Sequence, residues 1–327
     1  MLPVIVDAMG GDNAPHDIVA GAVAAAADGI PTELVGRIEQ IAALEGIEGA
    51  GELAVYEASE VIGMADEPGR AVRTMKDSSI VRGAERVRDG HASAFVSAGN
   101  TGAVAAAALL RMKRLPGVNR PAIATTLPVP GRTPKILLDS GAMADCQPDW
   151  LHQYARMGSA FANIRYEIDR PTVGLLSIGE EPEKGNLLVK ETHKLLADDG
   201  SINFIGNVEG RDVLGGEVDV VVADGFTGNV VLKTLEGTIG FLVDEIVARL
   251  TVPEAADVGS AALGLLAPLA AELHPDAVGG AMLLGVNGVC IISHGSSSPT
   301  AITNAVRVAR DMVERDLVAG LAAAVAR

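Results

Sequence analysis

Six places in the chain set an apolar run against a small or acidic residue, then glycine, then polar residues that open a helical stretch. They are Asp7-Ala8-Met9-Gly10-Gly11-Asp12, Ser97-Ala98-Gly99-Asn100-Thr101-Gly102, Asp139-Ser140-Gly141-Ala142, Ser177-Ile178-Gly179-Glu180-Glu181, Asp224-Gly225-Phe226-Thr227-Gly228-Asn229 and Ser293-His294-Gly295-Ser296-Ser297-Ser298. Glycine lets a backbone approach a ligand closely. A helix start offers free N–H groups and a partial positive charge, so such turns suit an anion, phosphate above all. A tight strand-to-helix connection explains any one of these turns. Six of them, with this clustering of polar residues, point to a site.

Other chemistries lack their signatures. No Gly-Lys dipeptide occurs, so there is no Walker loop, and neither HExxH nor GxSxG is present. The Gly49-Ala50-Gly51 triplet precedes a strand-like run instead of following one, which does not support a dinucleotide fingerprint. Cys146 and Cys290 form no CxxC pair, which argues against a disulfide framework or zinc site and fits a reducing cytosol. Neither has an evident activating neighbour for an acyl-cysteine route, and Cys290 sits in an apolar run that reads as core. His16, His91, His152, His193 and His274 show no metal-ligand spacing, whereas His294 ends a strand beside Gly295. Asp7, Asp12, Asp139 and Asp145 could suggest a metal, but turn and capping hydrogen bonds explain them as well. The expectation is no metal and no cofactor.

These turns need strands before them and helices after them. Short runs rich in Val and Ile predict strands at 4–6, 33–35, 53–56, 94–96, 122–126, 136–138, 172–176, 203–205, 218–222 and 289–292. Helical patterns fall roughly at 14–27, 70–89, 101–113, 149–163, 186–198, 229–250 and 299–318. The alternation predicts a layered α/β fold with a mostly parallel sheet flanked by helices. No linker divides the chain, so residues 1–327 are expected to form a single α/β unit. Within it, residues 251–280 read as a helical excursion from the sheet, with Ala- and Leu-rich sequence from Gly259 to Leu273.

With 327 residues and 48% hydrophobic composition, the chain can bury a large core. Aromatics are only 3%, and 38 glycines suit a fold rich in tight turns. The net charge of −16 opposes nucleic acid and anionic membranes at long range. No secretory leader is expected, since the sequence enters strand-like Pro3 to Val6 without a basic stretch, and no apolar run is long enough to span a bilayer.

In wording and order the turns resemble the PlsX family of bacterial phosphate acyltransferases. The matching stretches are Val6 to Asp12, Ser97 to Gly102, Arg120-Pro121-Ala122, Gly179 to Glu181 with Lys184-Gly185, Phe204 to Asn207, Asp224 to Val230 with Leu232-Lys233-Thr234, and His294 to Ser297. They cover nearly the whole chain, and the SAGNTG and DGFTGN hexapeptides together are highly specific. The resemblance implies a fold like phosphotransacetylase and isopropylmalate dehydrogenase, and a homodimer. It also implies that inorganic phosphate attacks the thioester of an acyl chain on acyl carrier protein, giving acyl phosphate for phospholipid synthesis.

That reaction needs no nucleophilic triad. Phosphate is already an anionic nucleophile, and a thiol with a pKa near ~8.5 leaves without obligatory protonation. Positioning, charge neutralisation and donors for the tetrahedral oxyanion remain to be supplied. Lys184, Asn229, His294 and Asn100 are the expected catalytic residues. The phosphate- or substrate-binding set is Gly10, Gly11, Ser97, Gly99, Thr101, Gly102, Thr227, Gly228, Lys233, Gly295 and Ser296. Lys184 ranks first as the phosphate or oxyanion contact. For Lys233 a plain solvated helix position is an equal alternative.

An acidic carrier must approach an acidic enzyme. At physiological salt, screening acts over about 8 Å, so a local basic patch can prevail. Arg111, Lys113 and Arg114, with Arg120, are the candidate docking patch, and Arg82, Arg86 and Arg88 are a second group. Met143 stands where the family usually carries Asn, which leaves that position without a polar role. Gly259 to Leu273 contains no Lys or Arg, so membrane contact through charge is not expected. Apolar contact with a membrane, or with a membrane acyltransferase, stays open for an otherwise cytoplasmic protein. Two other classes are kept: an NAD-dependent decarboxylating dehydrogenase on the related fold, and a non-catalytic acyl-carrier-binding protein.

Overall fold

The computed structural model describes residues 2–253 and 256–326. Residues 254 and 255 of the segment read as 251–280 lie outside the described residues. Eleven strands form one sheet: β1 (Val4–Asp7), β2 (Thr32–Gly36), β3 (Ala54–Glu57), β4 (Ala94–Ser97), β5 (Ala122–Leu127), β6 (Lys135–Leu138), β7 (Thr172–Leu176), β8 (Asn203–Val208), β9 (Val220–Val222), β10 (Ala281–Leu284) and β11 (Val289–Ile292). Their order is β3-β2-β1-β4-β11-β10-β5-β6-β9-β7-β8. All ten expected strands are present. The eleventh, β10, has no β-branched residue and follows Gly279-Gly280, so nothing in its composition marks it as a strand.

The sheet is mostly parallel, but it consists of two parallel groups that run in opposite directions. In one group β3, β2, β1, β4 and β11 are mutually parallel. In the other, β6, β9, β7 and β8 are. Between them, β10 is antiparallel to β11 and β5, and β5 is antiparallel to β6. Register brings the carboxyl ends together. Ser97 and Ala281 both pair with Ile292, the last residue of β11. One residue on, Met282 pairs with Ala124, and Thr125 pairs with Leu137 near the end of β6. The two groups therefore end at the same level, facing each other across β10 and β5.

Helices cover both faces. They are α1 (His16–Ala27), α2 (Ile38–Ala42), α3 (Pro68–Thr74), α4 (Ser79–Arg88), α5 (Thr101–Ala107), α6 (Pro148–Tyr166), α7 (Leu187–Ala197), α8 (Asp212–Gly215), α9 (Gly225–Leu250), α10 (Ala256–Leu273), α11 (Pro299–Glu314) and α12 (Leu317–Val325). The expected helix at 70–89 is two helices, because Ser78 leaves helical geometry and caps α4 through Val81 N–H. The stretch 299–318 likewise divides into α11 and α12 at Asp316, whose φ is 51°. The 101–113 stretch is α5 followed by a wider π turn over Ala108–Met112.

The core lies on both sides of the sheet. Val4, Val6, Leu34, Val96 and Ile291 pack with α1 and α11 residues such as Ile18 and Ile302. Ile5, Phe95 and Cys290 face α4 and α5 through Ile80 and Val104. Alternate strand residues thus point to opposite, equally apolar layers, which is why these runs are continuous instead of alternating.

α9 and α10 form a helical hairpin. Of α9 only Gly225, Gly228 and Leu232 are buried, so most of its 26 residues extend beyond the body. α10 packs back along it. Phe241, Val258 and Leu265 remain exposed, Leu265 by 83%.

Candidate active site

The turns after β1, β4 and β11 build one wall. Asp7 ends β1 fully buried, accepting from Ser97 Oγ at 2.7 Å and from Met9 N–H at 3.1 Å. Burial raises its pKa, and hydrogen bonds from Ser79 and Ser97 counter the rise. Ser97 Oγ in turn accepts Gly99 N–H at 3.1 Å. Gly10 fits because it has no side chain: a Cβ would stand 2.6 Å from Asp7 Oδ2 and from Gly99 N. Asp12 N–H donates to Gly295 O at 2.7 Å, joining the first turn to the last.

Asn100 is committed within this wall. Its Oδ1 accepts Ala103 N–H at 3.1 Å, capping α5. Its Nδ2 reaches the carbonyls of Gly63, Met64 and Asp66 at 3.3, 3.1 and 3.1 Å. Those bonds hold the loop before α3, whose Pro68 packs on Gly102.

The second wall comes from β6 and α9. The buried Asp139 carboxylate accepts four backbone N–H groups: Ile123 (2.9 Å), Gly141 (3.1 Å), Ala142 (2.9 Å) and Met143 (2.8 Å). Burial pushes its pKa up, and these N–H donors pull the other way. This is the turn-binding role that competes with a metal ligand. Among the described residues there is no group of three or more His, Cys, Asp or Glu placed to hold a metal. At Met143 the main chain does the work, since its carbonyl also accepts Gly225 N–H at 2.9 Å. Asp224 caps α9 by accepting Thr227 N–H at 2.9 Å and Thr227 Oγ1 at 2.7 Å. Gly228 lies directly against Asp139 O, where any Cβ would collide.

A cavity of about 110 Å³ separates the walls. Thr101, in the first turn of α5, and Ser293 and His294, after β11, line one side. Ser140, Asn229 and Lys233 line the other, with Ile123 and Thr125 from β5 between them. Thr101 brings the start of α5 to the cavity, and α9 lines it from its second turn onward through Asn229, Leu232 and Lys233; the partial positive charge of a helix start favours an anion. Lys233 Nζ pairs with Glu236 Oε2 at 2.8 Å, and Glu236 Oε1 lies 3.4 Å from His294 Nε2. Burial lowers the pKa of His294, with Glu236 opposing it. Thr125 and Ser140 share a hydrogen bond of 2.6 Å. Ser293 Oγ is buried in this lining with no hydrogen-bond partner among the described residues.

Of the expected site residues, Thr101, Asn229, Lys233 and His294 meet at the cavity. Gly10, Gly11, Ser97, Gly99, Asn100, Gly102, Thr227, Gly228 and Gly295 shape the walls through the contacts above or through their backbone. Ser296 is exposed beyond them. Lys184 is elsewhere: it is exposed on the turn after β7, tied by its N–H to Glu181 O at 3.0 Å, and does not line the cavity. Arg111 lies against Glu85 (3.7 Å), and Arg114 donates to Val118 O (3.2 Å) and Asn119 O. Arg114 also bridges to Val286 beyond β10, at the end of the sheet away from the cavity.

Glu236 and Thr125 were not singled out in the sequence, and Ser293 and Ser140 were quoted within their turns but not as site residues. Glu236 could have been found by its i+3 spacing from Lys233. Both cysteine thiols are held neutral by burial, Cys146 pushed up to about 11 and Cys290 to about 12, which disfavours a thiolate nucleophile.

Opposed parallel groups with a cleft between their carboxyl ends make a fold shared by phosphotransacetylases and dehydrogenases. The structure is similar to that of a phosphotransacetylase from Staphylococcus aureus, with a TM-score of 0.62 and 15% identity, covering 95% of this chain and 94% of that one. Sequence similarity goes further. A phosphate acyltransferase of Pelotomaculum thermopropionicum is 48% identical over 97% of this chain and 93% of its own length. One of Nostoc sp. is 44% identical over 96% and 94%. The family model described as fatty acid synthesis protein matches residues 2–319. The chain belongs to that family, and it is an enzyme of the phosphate acyltransferase class.

Proposed function

We propose that the enzyme moves a fatty acyl group from an acyl carrier protein thioester to inorganic phosphate. The observation that carries this reading is the cavity itself. Thr101 at the start of α5, Asn229, Lys233 and the Ser293 hydroxyl, which has no hydrogen-bond partner among the described residues, all line one small space. Phosphate binds between Thr101 and Asn229, with Lys233 turning from Glu236 to offset its charge. One phosphate oxygen attacks the thioester carbon. The resulting oxyanion takes hydrogen bonds from donors in reach, for which Ser293, Asn229 and His294 are the candidates. As the oxyanion lone pair restores the C=O double bond, the C–S bond breaks and the carrier thiolate leaves, to be protonated by solvent. No acyl-enzyme forms and no cofactor is used.

The active protein is proposed to be a homodimer in the cytoplasm. The exposed Phe241, Val258 and Leu265 on the hairpin support a covering partner, and a second copy is the simplest one. A membrane surface is the rival occupant. No helix among the described residues is long and apolar enough to cross a membrane.

The test is phosphate-dependent release of carrier thiol from acyl-acyl carrier protein, with the product trapped by hydroxylamine as the hydroxamate. Thiol release that does not depend on phosphate would refute the reading.

A further inference from the structure

A second cavity, of about 360 Å³, opens from the first. The two share Thr125, Leu232, Pro275, Val278 and His294. Its character is different. Beyond His294 and Glu236 the lining is mainly aliphatic, with Leu127 from β5, Leu214 from α8, Leu235, Ile239 and Val243 from α9, and Leu273 from α10; Thr126, Asp244 and His274 are the polar exceptions. Ile239, Val243, Ala270 and Leu273 then continue into a third, almost wholly apolar hollow between α9 and α10 that ends at Ile246 and Val247. From Leu232 to Val243 the helix alone provides about 16 Å of such surface.

A path that begins at anion-binding groups and becomes apolar along its length matches one kind of molecule, a polar head on a long alkyl chain. We propose that this groove holds the acyl chain of the substrate. The thioester carbonyl lies in the cleft, and the methyl end runs along α9 towards Val243 and Ile246. The inference rests on the acyl-transfer reading above. It makes the inner face of the hairpin a chain-length gauge and leaves the outer face, with Phe241 and Leu265, to another occupant.

Gly240 makes the idea testable. It lines the groove, and a Cβ added there meets no atom within 4 Å. A larger residue would enter the groove without strain, and helix propensity would improve. Gly237, also on α9 with open space around it, does not line the groove and serves as control.

Gly240→Phe is expected to lower the ratio of kcat/KM for palmitoyl- over butyryl-acyl carrier protein, by about fourfold for each methylene displaced from apolar contact. Ala270→Trp, from the facing helix, must shift the ratio in the same direction. Gly237→Phe must keep the wild-type ratio. If both groove variants keep that ratio while still forming acyl phosphate, the groove does not hold the chain, and the acyl-transfer reading survives. A shift in oligomeric state with an unaltered ratio would assign the groove to a second copy instead. Failure of the wild type to form acyl phosphate from either donor overturns both.

Discussion

His294 Nε2 stands 3.4 Å from Glu236 Oε1, and the other oxygen of the same carboxylate holds Lys233. Burial keeps His294 neutral to lower pH than an ordinary histidine, while Glu236 pulls its titration back up. Glu236→Gln removes that pull, so the His294 titration, followed by NMR, should move further down. An upward move would show that the carboxylate does not act on the imidazole. The sign for stability follows. A histidine that titrates lower when folded binds fewer protons than the unfolded chain below pH ~6.5, so its contribution is lost as pH falls through that region.

Ser293 and Ser97 are both buried hydroxyls at strand ends, but one is unpaired among the described residues and the other bonds Asp7. Ser293→Ala removes an unsatisfied polar atom and should leave Tm unchanged or raised. If its hydroxyl serves the oxyanion or the phosphate, kcat should fall by about 10²-fold. Ser97→Ala should instead lower stability by about 1–3 kcal/mol, the cost of leaving a buried partner unpaired. A Ser293→Ala enzyme of full activity would remove the residue from the reaction.

Gly228→Ala drives a methyl group into Asp139 O and must push α9 away from the β6 turn. Asn229 and Lys233 move with the helix. A displacement of about 1 Å is enough for a loss on the order of 10² in kcat. Wild-type kcat in a folded Gly228→Ala protein would show that the placement of α9 does not govern turnover.

For the acidic carrier proposed as acyl donor, two basic surfaces offer a place to dock. Arg70 and Arg73 are exposed on α3, which packs beside α5 and the cleft. Lys113 and Arg114 lie at the far end of the strands. Charge reversal at Arg70 and Arg73 should raise KM for the acyl carrier substrate, more at low salt than at high. The same change at Lys113 and Arg114 should leave KM near wild type. The reverse pattern would place docking at the far patch.

Much of the fold was legible because buried parallel strands leave continuous β-branched runs, as at Val4–Val6 and Val220–Val222. Strand direction was not, because an apolar run reads the same either way. The reversal between the two groups therefore had no signature, and Ala281-Met282-Leu283-Leu284 lacked even the composition of a strand. The same blindness affected the site. Lys184 and Lys233 follow similar turns, but only the turn before α9 meets the β4 and β11 ends. Asn100 was expected to be catalytic and Thr227 to bind substrate, because the residues that cap helices are also those that bind substrates. Only their partners, the 63–66 carbonyls and Asp224, distinguish the two roles.

The position of β11 in the sheet has a consequence for how the enzyme comes into being. β11 and β10 fill the space between β4 and β5, and they are the last strands in the chain. A ribosome that has made residues up to 280 has released two separate sheets with a two-strand gap between them. Ser293 and His294 arrive only when that gap is closed. Between the completion of β9 and the arrival of β10 the growing chain has two exposed sheet edges and no cleft, so chaperone contact should concentrate in that interval.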